Sequence, residues 1–167
     1  ISIFLKSKKN IKIKILGTSY KHSDIEKKYF KSFFEKNKYY FIPRYINRPT
    51  YKYIDNAEVV LSIDSTLGYT SFSRGTKTAF FSVRNNKKDF ESTRLGWPSK
   101  KKAKNEIWTN SYRLSEVKRV ISYLINLKKI KWLKIREKYL SDLMIYDSNN
   151  KKFLQLLNFL KIEEKKI

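Results

Sequence analysis

Short apolar runs and amphipathic stretches alternate along this chain, as strands and helices do in α/β proteins. Residues 59–63, Val-Val-Leu-Ser-Ile, form a β-branched run that is apolar on both faces, which is typical of a strand inside a parallel sheet. Residues 64–66, Asp-Ser-Thr, are good helix starters, and Gly75 suits a left-handed C-cap. The pattern predicts a helix over 66–74 and a second strand over 77–83, which together form a parallel βαβ unit with a right-handed crossover.

The same alternation continues on both sides of this unit. It predicts an α/β domain with a Rossmann-like, mostly parallel sheet of about four or five strands, flanked by helices and followed by a C-terminal helical run. Residues 1–10 are basic and without pattern, and we interpret them as a lead-in or linker. The other predicted segments are strands over 11–16 and 39–42, helices over 22–37 and 49–56, a long loop over 84–110 and C-terminal helices over 114–161.

Length and residue types limit what the chain can be. Its 167 residues are enough for one domain over residues 1–167 with an ordinary core. The absence of Cys excludes disulfides and Cys-based metal sites, and the single His22 gives no basis for a zinc site, so we predict no metal. No apolar run approaches the roughly 18 residues that span a bilayer. Because the chain begins with Ile1, we expect it to be a fragment of a longer protein.

The chain is strongly basic, with 38 Lys and Arg against 15 Asp and Glu and a net charge of +23. Such an excess is typical of proteins that bind nucleic acid or an anionic membrane surface. Lys outnumbers Arg by 30 to 8, although Arg is the better ligand for phosphates and bases. This imbalance favours compositional drift in an AT-rich genome over dedicated nucleic-acid recognition, and it leaves a role for an anionic surface open.

Three polar positions after predicted strands are candidates for binding an anion. The first N–H groups of a helix lack partners within the helix and carry the positive end of its dipole, so a helix that starts at residues 65–66 can hold a phosphate. The alternative for this turn is a simple N-cap. Because ligands bind beyond the carboxyl ends of parallel strands, we expect the three positions to reach one rim. The predicted nucleotide- and phosphate-binding residues are Ser65, Thr66, Leu67, Gly68, Tyr69, Thr18, Ser19 and Arg44.

The aromatic residues of the long loop have two interpretations. Trp97 and Trp108 could lie flat against a sugar or a base, or they could pack the loop onto the edge of the sheet. Loops of this length in a compact domain are usually functional or disordered. Packing is the more common role of a tryptophan, and it is the interpretation we favour.

Residues 58–83 carry a resemblance to a known family. Asp-Ser-Thr-Leu-Gly-Tyr at 64–69, followed by Arg-Gly-Thr-Lys at 74–77 and a hydrophobic strand, resembles the nucleotide-sugar-binding half of GT-B glycosyltransferases. The similarity is to those that build bacterial surface carbohydrate, O-antigen and capsule. Thr70 stands where these families usually have a glutamate that helps to hold the nucleotide ribose.

The resemblance implies the C-terminal, donor-binding half of a metal-independent glycosyltransferase of surface polysaccharide and lipopolysaccharide biosynthesis. Its ligand is a nucleotide-sugar donor, which is a substrate, and no cofactor is expected. The glycan acceptor and the catalytic base are expected on a missing N-terminal domain, so no catalytic residue is named. The implied location is cytoplasmic, with peripheral contact to the anionic inner face of the cell membrane. Two other classes stay open: a basic nucleic-acid-binding domain, and a degenerate GT-B-like domain without catalysis, which Thr70 favours.

Overall fold

The computed structural model describes residues 1–6, 11–34, 39–81, 105–144 and 147–159. Predicted features on other residues, among them Trp97 and the last residues of the strand predicted over 77–83, lie outside the described part. The strands are β1 (Ile13–Leu16), β2 (Tyr39–Ile42), β3 (Val59–Ile63), β4 (Lys77–Phe81) and β5 (Trp108–Thr109). The helices are α1 (Ser2–Lys6), α2 (Ser23–Phe33), α3 (Thr50–Asp55), α4 (Thr66–Arg74), α5 (Leu114–Asn126), α6 (Lys129–Leu143) and α7 (Lys151–Phe159), with a 3₁₀ turn at Ser148–Asn150.

The strand pairs of the described part are all parallel. β1 pairs with β2, and β4 lies between β3 and β5 in a second sheet. The predicted α/β architecture with parallel strands is therefore confirmed, but the described strands form two sheets of two and three strands instead of one sheet of four or five. An apolar pattern identifies a strand without specifying the edge along which it forms hydrogen bonds, so the pattern did not reveal this division.

The β3–α4–β4 unit forms as the sequence predicts. Its two strands are parallel, and four of the five residues of β4 are buried. α4 ends at Gly75, whose φ of 104° is the left-handed conformation that a C-cap needs. Phe72 on α4 is fully buried, and its ring centroid lies 6.1 Å from that of Phe80 on β4. The helix thus covers one face of the sheet with an aromatic contact at its centre.

Small residues let α4 lie close against the two strands. Gly68 is buried, and a Cβ atom there would overlap Oγ and Cβ of Ser62 on β3 and would lie 3.2 Å from the Phe80 ring. One turn later, the buried Ser71 hydroxyl accepts a hydrogen bond of 3.1 Å from the Thr78 hydroxyl on β4. A side chain at position 68 would therefore prevent the helix from lying this close to the sheet.

Helix α6 satisfies the C-terminal carbonyls of α4. Trp132 Nε1 donates to the Gly75 carbonyl at 2.7 Å, and Arg136 donates to the carbonyls of Phe72, at 3.2 Å, and of Ser73. The last carbonyls of a helix have no partner within it and carry the negative end of the dipole. The Arg136 guanidinium therefore adds donors to the Ser73 carbonyl and to the Phe72 carbonyl, which also accepts from the Gly75 amide, and it brings a favourable charge.

The N-terminal segment requires a correction. Residues 1–10 were expected to be a lead-in or linker, but Ser2–Lys6 form α1, and Phe4 and Leu5 belong to the core with 5% and 7% of their surface exposed. A helix of five residues is too short to show a 3.6-residue period, so the sequence pattern gave no sign of it.

The expectation of a loop over 84–110 also changes at its C-terminal end. Trp108 is only 3% exposed, pairs with β4 as part of β5, and makes an edge-on contact with Tyr139 at 6.2 Å. The interpretation of Trp108 as a packing residue is confirmed, and its interpretation as a stacking surface for a ligand is wrong. A sheet edge buried under α5 and α6 leaves such a ring no access to a ligand.

The C-terminal helices form largely where they were predicted. α5 buries one apolar stripe against the sheet, made of Val117, Val120, Ile121 and Leu124. α6 contributes the buried Trp132. Within the described ranges, no helix combines the length and the hydropathy that crossing a membrane requires.

We expect Gly68→Ala to destabilise the fold by about 1–3 kcal/mol, because the added methyl group overlaps Ser62. Alanine forms helices better than glycine by about 1 kcal/mol, so helix propensity alone predicts a gain in stability. The free energy of unfolding of parent and variant, measured by chemical denaturation, shows whether the substitution lowers or raises stability. The double variant Gly68→Ala/Ser62→Gly removes the overlap with Ser62 and should recover part of the loss. A Gly68→Ala variant as stable as the parent would contradict the close packing.

Candidate functional site

The turn between β3 and α4, residues 64–66, has an unusual backbone. Asp64 adopts a left-handed conformation with a φ of 45°, which only a few per cent of non-glycine residues do. Ser65 returns to an extended conformation, and its Oγ accepts a hydrogen bond of 3.3 Å from the Leu67 amide. Such outliers concentrate at binding and catalytic sites, because the surrounding structure must hold them in place. We call residues 64–66 the β3–α4 turn below.

The amides of the first turn of α4 are used in different ways. Leu67 donates to the Ser65 hydroxyl, and Gly68 donates to the Ser65 carbonyl at 3.1 Å, which also accepts from Ser62 Oγ at 3.2 Å. Thr66 is the first helical residue and is exposed, and an amide at this position has no carbonyl partner within the helix. Among the residues predicted to bind a phosphate in this turn, Thr66 is therefore the most accessible to a ligand. Gly68, in contrast, lies in the interface with β3.

Tyr69 lies at the edge of the core beside the β3–α4 turn. It is half-buried, and its ring centroid lies 5.5 Å from that of Phe80. Burial raises the pKa of the Tyr69 phenol, and the nearby charge of Asp64 raises it further. The hydroxyl therefore stays protonated at neutral pH and is available as a hydrogen-bond donor.

Thr70, the residue that departs from the glycosyltransferase pattern, uses its hydroxyl locally. Its Oγ1 donates to the Thr66 carbonyl at 3.4 Å and lies 4.0 Å from the sulfur of Met144. A glutamate here would extend a carboxylate past the helix. The shorter threonine side chain returns to the backbone of α4, so this position supplies no charged group to a ribose.

The second predicted turn, at the end of β1, is filled by a side chain of the protein itself. The carboxylate of Glu26, from the first turn of α2, accepts hydrogen bonds from the Thr18 amide, at 3.1 and 3.2 Å, from the Thr18 hydroxyl, and from the Ser19 amide at 3.4 Å. This role of Glu26 was not predicted from the sequence. Ser23-x-x-Glu26 has the spacing of a local capping box, which gives no indication that Glu26 reaches back to residues before the helix.

The carboxylate of Glu26 is held in its charged form. Partial burial acts to raise its pKa, but hydrogen bonds from the side chain and amide of Thr18 and from the Ser19 amide, together with the charge of Arg48, outweigh burial and lower it. The β1–α2 turn thus already contains a negative charge. An anionic ligand that uses the amides of Thr18 and Ser19 must displace this carboxylate.

Two arginines lie at the carboxyl ends of β1 and β2. Arg44 is exposed, donates to the Thr18 carbonyl at 3.5 Å and lies 5.1 Å above the ring of Tyr20. Arg48, which the sequence analysis did not select, donates to the carbonyls of Gly17, Ile42 and Pro43 at 2.8, 3.3 and 3.4 Å. Arg48 therefore ties the two strand ends together, and Arg44 is the more accessible cation.

The predicted site residues fall into two groups. Thr18, Ser19 and Arg44 are brought together at the end of the β1–β2 sheet, and residues 65–69 lie at the end of β3 in the other sheet. The convergence of both groups on one rim stays a prediction. Among the described residues, no group of three or more His, Cys, Asp or Glu side chains has the arrangement of a metal site.

An ion pair holds α3 to the end of α4. Arg74 Nε donates to Asp55 Oδ1 at 2.7 Å, and a second nitrogen of Arg74 contacts the other carboxylate oxygen. The hydrogen bonds from Arg74 lower the pKa of Asp55 against the opposing effect of burial, and the charge of Arg74 adds to the lowering. Asp55 is therefore a structural residue that positions α4.

The geometry defines an α/β protein of Rossmann-like type, with a polar turn at the start of a helix that follows a parallel strand. The chain belongs to a protein family described as "putative O-antigen biosynthesis protein", whose family model matches residues 4–161. The expected setting in surface-carbohydrate biosynthesis is thereby confirmed. The searches of curated proteins and of solved structures found no match to this chain.

Glu26→Gln is expected to make the fold less sensitive to acid. Because the pKa of Glu26 is lowered on folding, its contribution to stability is present above the unfolded value near 4.5 and is lost as the pH falls through the lower folded value. The variant should melt at a lower temperature than the parent at neutral pH, and the difference should shrink between about pH 5 and pH 3. Thermal melts across this range test it.

The matched control is Glu58→Gln, which removes an exposed carboxylate elsewhere on the surface. If the melting temperatures of Glu26→Gln and Glu58→Gln follow the same pH dependence, the carboxylate at the β1–α2 turn has no special role.

Proposed function

We propose that this chain is the donor-binding domain of a glycosyltransferase in O-antigen biosynthesis, and that the β3–α4 turn holds the phosphates of a nucleotide sugar. The family match supports the biosynthetic setting. The resemblance of residues 64–77 to the donor-binding half of GT-B glycosyltransferases supports the kind of ligand. The proposed location is the cytoplasmic side of the membrane, where nucleotide sugars are available.

The observation that carries the proposal is the geometry of the β3–α4 turn. The turn stands at the carboxyl end of a parallel strand, where ligands of α/β proteins bind. It begins with the left-handed Asp64 and presents the exposed Thr66 at the N-terminus of α4. The amide and hydroxyl of Thr66 lie at the positive end of the helix dipole, which favours a phosphate group.

The proposed chemistry depends on fixed dipoles. Transfer of a sugar from a nucleotide leaves negative charge on the departing phosphate, and donors that already point at this position stabilise the charge without reorganising. We propose that Thr66 and the hydroxyl of Tyr69, which stays protonated, supply these donors. Such a site requires no metal ion when amides, hydroxyls and cations together compensate the phosphate charge.

The other components of the reaction are proposed to lie on a second domain of a longer protein. The described residues offer no basis for choosing a catalytic base, so none is assigned. The glycan acceptor is expected to approach from that second domain. Thr70 supplies no carboxylate for a ribose. Thr70 therefore favours one form of this proposal, in which the domain binds the donor weakly or without turnover.

The variant Ser65→Asp tests the phosphate site. Aspartate keeps an oxygen that can accept from the Leu67 amide, so the helix cap and the melting temperature should survive. Its negative charge, however, stands where the phosphate must bind, so nucleotide affinity should fall by at least about tenfold. Ser65→Ala should affect stability more than binding. It loses the helix cap, at a cost of about 0.5–2 kcal/mol of stability, and it retains more of the nucleotide affinity than Ser65→Asp does.

The control is Ser111→Asp, because the Ser111 hydroxyl likewise accepts an amide hydrogen bond, from Arg113 at 3.2 Å, in a turn before α5. This variant should bind nucleotide as the parent does. If Ser65→Asp also binds nucleotide as tightly as the parent, the β3–α4 turn is not the phosphate site.

A ligand panel separates this proposal from nucleic-acid binding. Calorimetry with CMP, UDP, GDP and single-stranded RNA at two salt concentrations should show a preference for one nucleoside diphosphate or monophosphate. Binding of RNA alone, with an affinity that falls steeply with salt, would instead assign the basic surface to nucleic acid.

A further inference from the structure

Helix α7 exposes an apolar face. Four of its nine residues are large, apolar and exposed: Phe153 by 57%, Leu154 by 40%, Leu156 by 51% and Phe159 by 80%. None of its described residues is buried. Exposed apolar residues are ordinary when they stand singly, but a contiguous group of this size marks a surface that binds something.

The exposure of α7 contrasts with the other amphipathic helix of this region. α5 has a comparable apolar stripe, and that stripe is buried against the sheet, with Val120 and Leu124 fully inaccessible. The chain is therefore able to bury the apolar face of a helix in its core. The apolar face of α7 is left at the surface of the described structure.

The charges around α7 identify the kind of surface that fits it. α7 begins with Lys151 and Lys152, both exposed, and contains no acidic residue. Residues 128–159 as a whole contain eight basic and three acidic residues. An apolar helix face flanked by lysines is the arrangement by which helices lie in the interface of an anionic bilayer.

We propose that α7 is a membrane-docking helix, which inserts Phe153, Leu156 and Phe159 into the outer part of an anionic lipid bilayer. A second copy of the chain fits this face poorly, because each copy carries a net charge of +23 and the copies repel each other. Nucleic acid would pair with the lysines but would leave the apolar side chains of α7 exposed to water. The head groups of an anionic bilayer attract the lysines, and its hydrocarbon region takes up the apolar side chains. This inference does not depend on nucleotide binding.

Vesicle flotation with the full chain tests the inference. The parent should bind vesicles of phosphatidylcholine that contain about 30% phosphatidylglycerol, and should bind pure phosphatidylcholine vesicles more weakly. Phe159→Ser should weaken binding to the anionic vesicles about tenfold, and Phe153→Ser/Phe159→Ser should weaken it further, because each phenylalanine that stays in water loses its transfer into the bilayer.

Ile46→Ser is the matched control, because Ile46 is as exposed as Phe159, at 77% against 80%, and lies between β2 and α3. It should bind vesicles as the parent does. Circular dichroism of each variant checks that the fold is retained. Equal binding of Phe159→Ser and Ile46→Ser would show that charge alone attaches the protein, and would overturn the role of α7.

Two further outcomes would also overturn the inference. One is a parent that binds no vesicle even at low salt. The other is a concentration-dependent dimer, seen in sedimentation, that Phe159→Ser abolishes, which would assign the face to a second copy. Nucleotide calorimetry on the parent, set beside its vesicle flotation, keeps the two proposals apart. Vesicle binding without nucleotide binding contradicts only the proposed donor site, and the reverse contradicts only the membrane-docking helix.

Discussion

The close contact of α4 with β3 and β4 is the constraint on which much of this structure depends. α4 contacts both strands, α3 and α6, so its position sets where those elements lie. The contact requires glycine at position 68, because a Cβ atom there overlaps Ser62. It also places Ser71 and Thr78 in a buried hydrogen bond, which satisfies two hydroxyl groups that would otherwise be expensive to bury. A helix held this closely fixes the turn from which it starts.

The two ends of α4 are satisfied by different means. At its C-terminus, Trp132 and Arg136 donate to three carbonyls, and Arg136 brings a positive charge to the negative end of the dipole. At its N-terminus the cap is the neutral Ser65 hydroxyl, and the first turn of the helix contains no acidic residue. Within α4, the positive end of the dipole therefore has no opposite charge, and the carboxylate of Asp64 lies outside the helix, before the cap. This asymmetry leaves the start of α4 favourable for an anion.

The sequence predicted those parts of the fold that depend on neighbouring residues. The bounds of α4, the parallel β3 and β4, and the left-handed Gly75 all follow from residue types within a few positions of each other. Contacts between distant residues were not predictable in this way. The division into two sheets, the reach of Glu26 back to Thr18, and the three carbonyls that Arg48 joins depend on tertiary packing, and a single sequence holds no periodic signal for them.

The candidate site also depends on contacts between distant residues that the sequence pattern does not reveal. The turns at Thr18-Ser19 and at Ser65-Thr66 are alike in sequence, since each places small hydroxyl residues after a strand and before a helix. At the first turn, the Glu26 carboxylate accepts from the amides and adds a negative charge that the lowered pKa keeps in place. At the second, the acceptor is a neutral hydroxyl, and the charge of Asp64 acts on Tyr69. A phosphate meets a carboxylate already bound to the amides at the first turn, whereas at the second it competes with a neutral hydroxyl for the Leu67 amide. The Glu26 carboxylate bound to the amides of the first turn is therefore the physical reason to propose the start of α4, and not that turn, as the phosphate site.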